Sequence, residues 1–324
     1  MIRLKPEGAD ELPSLGGEGE LRAVRQGEAW LLFGMGRATE GGAIEGPLLQ
    51  FGIKERVAPN VSLGAVHYNE GHADQGGHHN HRDGYAVVGC LDRPLAQGLK
   101  VEGCAGPYFS MNTTPIDGRE RDDKRLGVLG AVALVVRLNR SGLGLRLQGN
   151  VVKMPAAFDT KTLMVGVSQE LGGDDRDAGG SPFPGRDVRF NLFAGSVIAN
   201  RTGKIGHLGQ QAEIEAAIDR ALHYSVSVIR EGDSGITNRT GVAAQAWYVA
   251  PPAGKWKFSA GAGPYVARES YPDDRGWKLL AVVSFKAERE MGRDWSCALR
   301  FNRIVSNYDK DADMFLVGCE RQLR

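Results

Sequence analysis

Hydrophobic residues recur at every second position over long stretches of this chain, the period of a β-strand with two unlike faces. Trp277, Leu279, Ala281, Val283 and Phe285 alternate with Lys278, Leu280, Val282, Ser284 and Lys286. Trp295, Cys297, Leu299 and Phe301 alternate with Ser296, Ala298, Arg300 and Asn302. Earlier in the chain Leu143, Leu145 and Leu147 alternate with Gly144, Arg146 and Gln148. One face is apolar throughout, the other small, polar or charged. The alternation predicts strands near 29–38, 47–57, 61–70, 84–92, 99–110, 126–139, 143–153 and 161–170. It predicts a second set near 189–200, 211–221, 222–231, 241–250, 255–268, 276–288, 294–305 and 312–322. Residues 212–222 hold enough Ala and Glu for a helix, but their counterpart, 47–57, reads as a strand.

The two sets are copies of one unit. Gly103-Cys104-Ala105-Gly106-Pro107-Tyr108 matches Gly261-Ala262-Gly263-Pro264-Tyr265, and Asn69-Glu70-Gly71-His72 matches Arg230-Glu231-Gly232-Asp233. Leu145-Arg146-Leu147-Gln148 matches Leu299-Arg300-Phe301-Asn302, and both copies close alike, on Val165-Gly166-Val167 and Val317-Gly318-Cys319. Same-order recurrence marks internal duplication. It divides the chain into a leader (1–20), a first unit (21–171), a linker rich in Gly, Asp and Pro (172–187) and a second unit (188–324).

Connections alternate in length. Arg56–Asn60, Asp92–Gly98, Asn139–Gly142 and Pro251–Gly254 are short. Glu70–Gly84, Met111–Gly127, Gly232–Gly241 and Glu269–Gly276 are long and polar. Alternate turns of an up-and-down barrel lie at opposite ends, so one end carries tight turns and the other long loops, the layout of outer-membrane barrels. The expected fold class is therefore all-β: an antiparallel up-and-down β-barrel, as two tandem eight-stranded units. A single barrel of about sixteen strands is the alternative.

Composition narrows the function. Formal net charge is +1, with no cluster of basic residues interleaved with aromatics, so nucleic acid is not an expected partner. Glycine is abundant at 45 residues, as suits a barrel whose interior needs small side chains. No apolar run approaches the length of a membrane helix. Residues 1–20 have no apolar core and do not read as a secretory signal, which leaves open whether a signal was removed or the protein was never exported. Cys90, Cys104, Cys297 and Cys319 include no C-x-x-C pair and read as small packing residues.

Tyr68-Asn69-Glu70-Gly71-His72, His79-Asn80-His81-Arg82-Asp83-Gly84, Ala105-Gly106-Pro107-Tyr108, the Arg146 strand and the closing strand Asp159-Thr160 to Val167 together resemble the small proteobacterial outer-membrane β-barrel proteins of the eight-stranded type. The resemblance covers most of 61–171 and, more weakly, 222–323. It implies an outer-membrane location and lipid or detergent as partner, and no particular activity. Some barrels of this size are lipid A deacylases with a His–Ser pair near the barrel end. Here the penultimate strands carry Arg146, Gln148 and Asn150, or Arg300 and Asn302, without such a pair.

Glu70 and Glu231 sit where a strand enters its long loop, and their parity points inward, as does that of Arg146 and Arg300. A charge inside a narrow barrel must be paired, so the expectation is an interior charge network with Glu70 bound to Arg146 and Glu231 to Arg300. His78, His79 and His81 form the densest imidazole cluster and are weak metal candidates; the second copy has no histidine there, so a mobile solvated loop is expected. Gly106-Pro107 and Gly263-Pro264 mark a bulge or a fraying strand top. No phosphate loop, nucleophile elbow or zincin motif is present, and no cofactor is expected. The function expected is a non-enzymatic outer-membrane-type barrel with a structural or surface role. A porin-like channel, if the barrel is single and wide, and a water-soluble barrel, natural or engineered, binding an apolar ligand remain alternatives; the small ligand is unknown.

Overall fold

The computed structural model of the chain describes residues 26–39, 42–45, 48–75, 78–116, 119–155, 157–172, 188–200, 204–205, 208–292, 294–308 and 310–323. The expected leader, and the linker apart from Gly172, lie outside them. The first sheet contains β1 (Gly27–Ala38), β2 (Gly42–Glu45), β3 (Leu48–Ala58), β4 (Val61–Gln75), β5 (His78–Ala96), β6 (Leu99–Ile116), β7 (Arg119–Arg137), β8 (Leu143–Lys153) and β9 (Thr160–Leu171). The second contains β10 (Val188–Ala199), β11 (Lys204–Ile205), β12 (Gly209–Ala217), β13 (Leu222–Asp233), β14 (Asn238–Val249), β15 (Trp256–Glu269), β16 (Gly276–Glu290), β17 (Trp295–Val305) and β18 (Ala312–Leu323). Among the described residues there is no α-helix.

Every strand pairs antiparallel with its neighbours, and each sheet closes on itself. β1 meets β9 from Gly27↔Leu171 to Ala38↔Thr160, and β10 meets β18 from Val188↔Leu323 to Ala199↔Ala312. The short β2 and β11 sit on the loops, so each wall has eight strands. Closure of both sheets excludes the single barrel of about sixteen strands. Residues 212–217 are strand, as their counterpart required.

Two stretches expected as long loops, 70–84 and 111–127, continue as strand pairing: Asp74 opposes His79, and Thr114 opposes Arg121. Backbone pairing does not need an apolar face, so the ladder runs on through these polar stretches.

Alternation sets burial. Along β8 every second side chain, including Arg146, Gln148 and Asn150, points into the barrel, while Leu145 and Leu147 are exposed outside. Large inward side chains are accommodated by small ones opposite: Trp30 lies over Gly52, and Trp247 over Gly261, so closely that a Cβ at either glycine would overlap the indole.

The Gly-Pro pairs do not form bulges. Ala86↔Tyr108 and Gly89↔Ala105 share one register, as do Ala243↔Tyr265 and Ala246↔Ala262, with the ladder interrupted between them. Proline removes a donor there. The glycine lets the preceding strand approach; a Cβ on Gly106 or Gly263 would lie 1.9 or 1.8 Å from the carbonyl oxygen of Val87 or Ala244.

The cysteines differ from expectation. Cys90 and Cys104 oppose each other across β5 and β6 and form a disulfide, with Cα atoms 4.1 Å apart. Their pairing depends on strand register, which spacing alone does not reveal. Cys297 and Cys319 oppose each other across β17 and β18 as thiols. Replacing Cys90 and Cys104 together by alanine is expected to lower stability by about 2–4 kcal/mol in denaturant titration; an unchanged midpoint would count against the bond.

Candidate functional site

Both interiors are filled. In the first barrel Arg146 crosses from β8 to donate to Glu28 on β1 (3.1 Å) and Glu102 on β6 (2.5 Å), while its Nε donates to Gln148 (2.7 Å). Lys54 binds both carboxylates and Lys100 binds Glu28. Trp30 covers the guanidinium, its ring centre 4.7 Å away. The second barrel repeats the scheme: Arg300 donates to Glu213 (2.8 Å), Gln245 (2.6 Å) and Asn302 (2.8 Å), beneath Trp247. Lys286 joins Glu215 and Glu320. Each of these charges has an opposite charge within reach, the condition for burying it, although neither carboxylate oxygen of Glu320 accepts a hydrogen bond among the described residues.

Glu70 and Glu231 are buried as well, but their partners are not those expected. Glu70 is held by Arg82, whose Nε and Nη2 donate at 2.8 and 2.7 Å, by the Tyr108 hydroxyl at 2.9 Å and by Thr160. Glu231 is held by Arg239, Nε donating at 2.9 Å. The pairings Glu70–Arg146 and Glu231–Arg300 are therefore corrected. Glu70 and Arg82 face each other at the base of one hairpin, as do Glu231 and Arg239, while Arg146 and Arg300 find carboxylates elsewhere in the barrel. Arg82 and Arg239 also donate to backbone carbonyls of the last loop, Phe158 O at 2.6 Å and Lys310 O at 3.0 Å. Three repeated sequence features thus converge: the Glu near the far end of β4 or β13, the Arg in the first part of β5 or β14, and the tyrosine after Gly-Pro. Together they tie the long-loop end of each barrel shut.

A second polar cluster faces outward, and the sequence reading missed it. Arg303 on β17 of the second barrel has the outward parity yet is buried, because the first barrel covers it. Its Nη1 lies 2.9 Å from Oδ2 of Asp83, and its Nη2 donates to Asp83 Oδ1 at 3.1 Å. Asp313, at 3.1 Å, and Asp311, at 3.5 Å, complete a ring of three carboxylates around one guanidinium. Below this, Phe51 and His67 of the first barrel pack on Phe285 and Phe301 of the second, ring centres 4.5 Å apart for Phe51–Phe285 and 5.0 Å for His67–Phe301. Toward the short-turn end, Ala29, Ile53 and Leu171 pack with Ala250, Tyr248 and Phe258. Phe301 shares the apolar face of its strand with Leu299, yet the seam buries it to 8% exposure whereas Leu299 is 62% exposed.

His78 and His79 open β5, but their side chains lie outside the described residues. His81 is half-buried, with Nε2 3.6 Å from Asp83. Among the described residues the one cluster with metal-ligand spacing is Cys90, Glu102 and Cys104, and its two sulfurs are already joined.

No protein-family model matches the chain, and no curated protein does. Among solved structures it is similar to Neisserial surface protein A (10% identity, 45% of this chain and 96% of that one, TM-score 0.35) and to Ail, the attachment invasion locus protein of Yersinia pestis (7% identity, 45% and 98%, TM-score 0.36). It is also similar to the CymD monoaromatic hydrocarbon channel (8% identity, 92% and 88%, TM-score 0.27). These scores are low, and the barrel architecture rests on the strand pairing above.

Proposed function

We propose that the chain is an outer-membrane protein with a structural or surface role, made of two closed barrels that neither conduct nor catalyse. The observation that carries this reading is the contrast between the two faces of each wall: charged networks fill the inside, and large apolar side chains cover the outside. Phe33, Met35, Val87, Leu126, Leu163 and Leu279 are among many outward residues left exposed. Soluble monomers rarely expose contiguous apolar patches beyond a few hundred Å², whereas a bilayer requires such a belt.

Aromatic residues bracket the belt on the second barrel. Trp256, Trp295 and Tyr224 are exposed near the short-turn end, and Trp277 near the long-loop end. From Trp277 to Arg289, which opposes Trp256, a tilted strand rises roughly 30 Å, about the height of a lipid-facing band. Leu299→Lys, the deeper of the two positions, is accordingly expected to cost about 2–4 kcal/mol of folding stability in lipid, and Leu279→Lys, one outward position from Trp277 at the belt edge, less. Free tolerance in a refolding titration would contradict the outward assignment.

The filled interiors weigh against a porin-like channel and against a soluble barrel holding an apolar ligand. The direct test is reconstitution. The protein is expected to require detergent, to float with lipid vesicles, and to leave a planar bilayer without discrete conductance steps. Stable single-channel currents would sink the non-conducting reading, and a clean monomer in buffer would sink the membrane reading.

A further inference from the structure

We propose that Cys297 and Cys319 form a redox site: a thiol pair on the outer wall of the second barrel that closes to a disulfide and reopens by exchange with a small disulfide-carrying thiol. The two residues stand directly opposite each other on β17 and β18, with their sulfurs 3.3 Å apart. A disulfide needs a separation of about 2.0 Å, so closure asks for a small side-chain movement and no change of strand register.

Access separates this pair from the other one. Cys319 is exposed and Cys297 half-buried, and both share the outward parity of Leu299 and Val317. Cys297 also opposes the exposed Arg289, which in turn opposes Trp256. The thiols therefore lie at the short-turn edge of the apolar face, beside a charged residue, where a water-borne reagent reaches them. The Cys90–Cys104 disulfide instead points into the filled first barrel, with Cys90 only 2% exposed and both residues packed against its core. Thiol–disulfide exchange requires a thiolate to attack a disulfide sulfur directly, and exposed bonds are the labile ones. The inner bond is thus inert under conditions in which the outer pair responds.

The exchange runs in two steps. The thiolate of Cys319, the more open residue, attacks one sulfur of the carrier disulfide; that bond breaks, a mixed disulfide forms and one carrier thiolate leaves. The thiolate of Cys297 then attacks the Cys319 sulfur, forming the Cys297–Cys319 bond and releasing the second carrier thiolate. The cysteines lose two electrons, the carrier gains them, and the two cysteine protons end on the released thiolates. An excess of reduced carrier drives the same steps backwards. β18 is also the strand that closes the barrel on β10. The bond therefore fastens the closing strand to β17, and the redox state sets how firmly that strand is held.

The test is peptide mass mapping of the folded full chain, with free thiols alkylated, after oxidised glutathione and again after excess reduced glutathione. Oxidised glutathione is expected to abolish alkylation of Cys297 and Cys319 and to yield their two peptides joined within one chain. Reduced glutathione is expected to restore alkylation of both, while the Cys90–Cys104 peptides stay joined throughout. Cys297→Ser, which removes the second attacking thiol, is expected to leave glutathione attached to Cys319; circular dichroism checks its fold, and the wild-type mapping decides the matter if that variant does not fold. Full alkylation of both residues after oxidised glutathione, or a bond between chains in place of one within a chain, would overturn the site. A Cys297–Cys319 bond that stays closed in reduced glutathione would overturn the exchange and make the pair a second permanent disulfide.

Discussion

Arg303→Met is expected to destabilise the protein by about 3–5 kcal/mol and to part the two barrels along their seam. The methionine nearly fills the volume but leaves Asp83, Asp311 and Asp313 facing one another with their shared cation gone. Asp83 and Arg303 are both almost fully buried, so water does not screen the loss. The double change Asp83→Asn with Arg303→Met is expected to cost less than the sum of the single changes, because each single change already breaks the same contact. Equilibrium unfolding in detergent measures the cycle. A coupling near zero would mean that the charges at the seam are solvated and the barrels independent.

Arg146→Met is expected to be comparably severe within the first barrel. It strands Glu28 and Glu102 in the interior and leaves Lys54 and Lys100 as their remaining charged partners. The expected loss is about 3–5 kcal/mol if those lysines do not re-pair the carboxylates, and less if they do. Arg300→Met gives the comparison. In the second barrel Lys286 forms its ion pairs with Glu215 and Glu320, so among the described residues Glu213 loses its ion-pair partner and keeps the hydrogen bonds from Asn191 and Ser225. The second-barrel variant should therefore be the less stable of the two. Nearly silent changes at both arginines would show wide, hydrated interiors and would contradict the filled barrels.

The repeat, the strand positions and the inward parity of Glu70, Arg146, Glu231 and Arg300 were legible because a barrel wall alternates strictly between its faces. The partners of those charges were not, since they depend on how far side chains reach across a closed, tilted sheet. The signal for the true pairing lay nearby: Arg82 and Arg239 each lie on the strand after the glutamate's own, so the two residues meet across one hairpin. The disulfide was hidden for a similar reason, because only register places Cys90 opposite Cys104. The seam left a trace that went unread. His67, Asp83, Arg303 and Asp313 put polar groups on the outward parity, where a lone membrane barrel would present apolar side chains.

The most direct test of two filled barrels joined side by side in a bilayer is photolabelling with a lipid-borne carbene, read residue by residue by mass spectrometry. The account predicts label at Phe33, Leu163, Val228, Leu279 and Leu299, and none at Phe51, Ile53 or Phe301. Label at those three residues as well would show that the barrels stand apart; absence of label at Leu279 and Leu299 would show that the apolar face does not meet lipid.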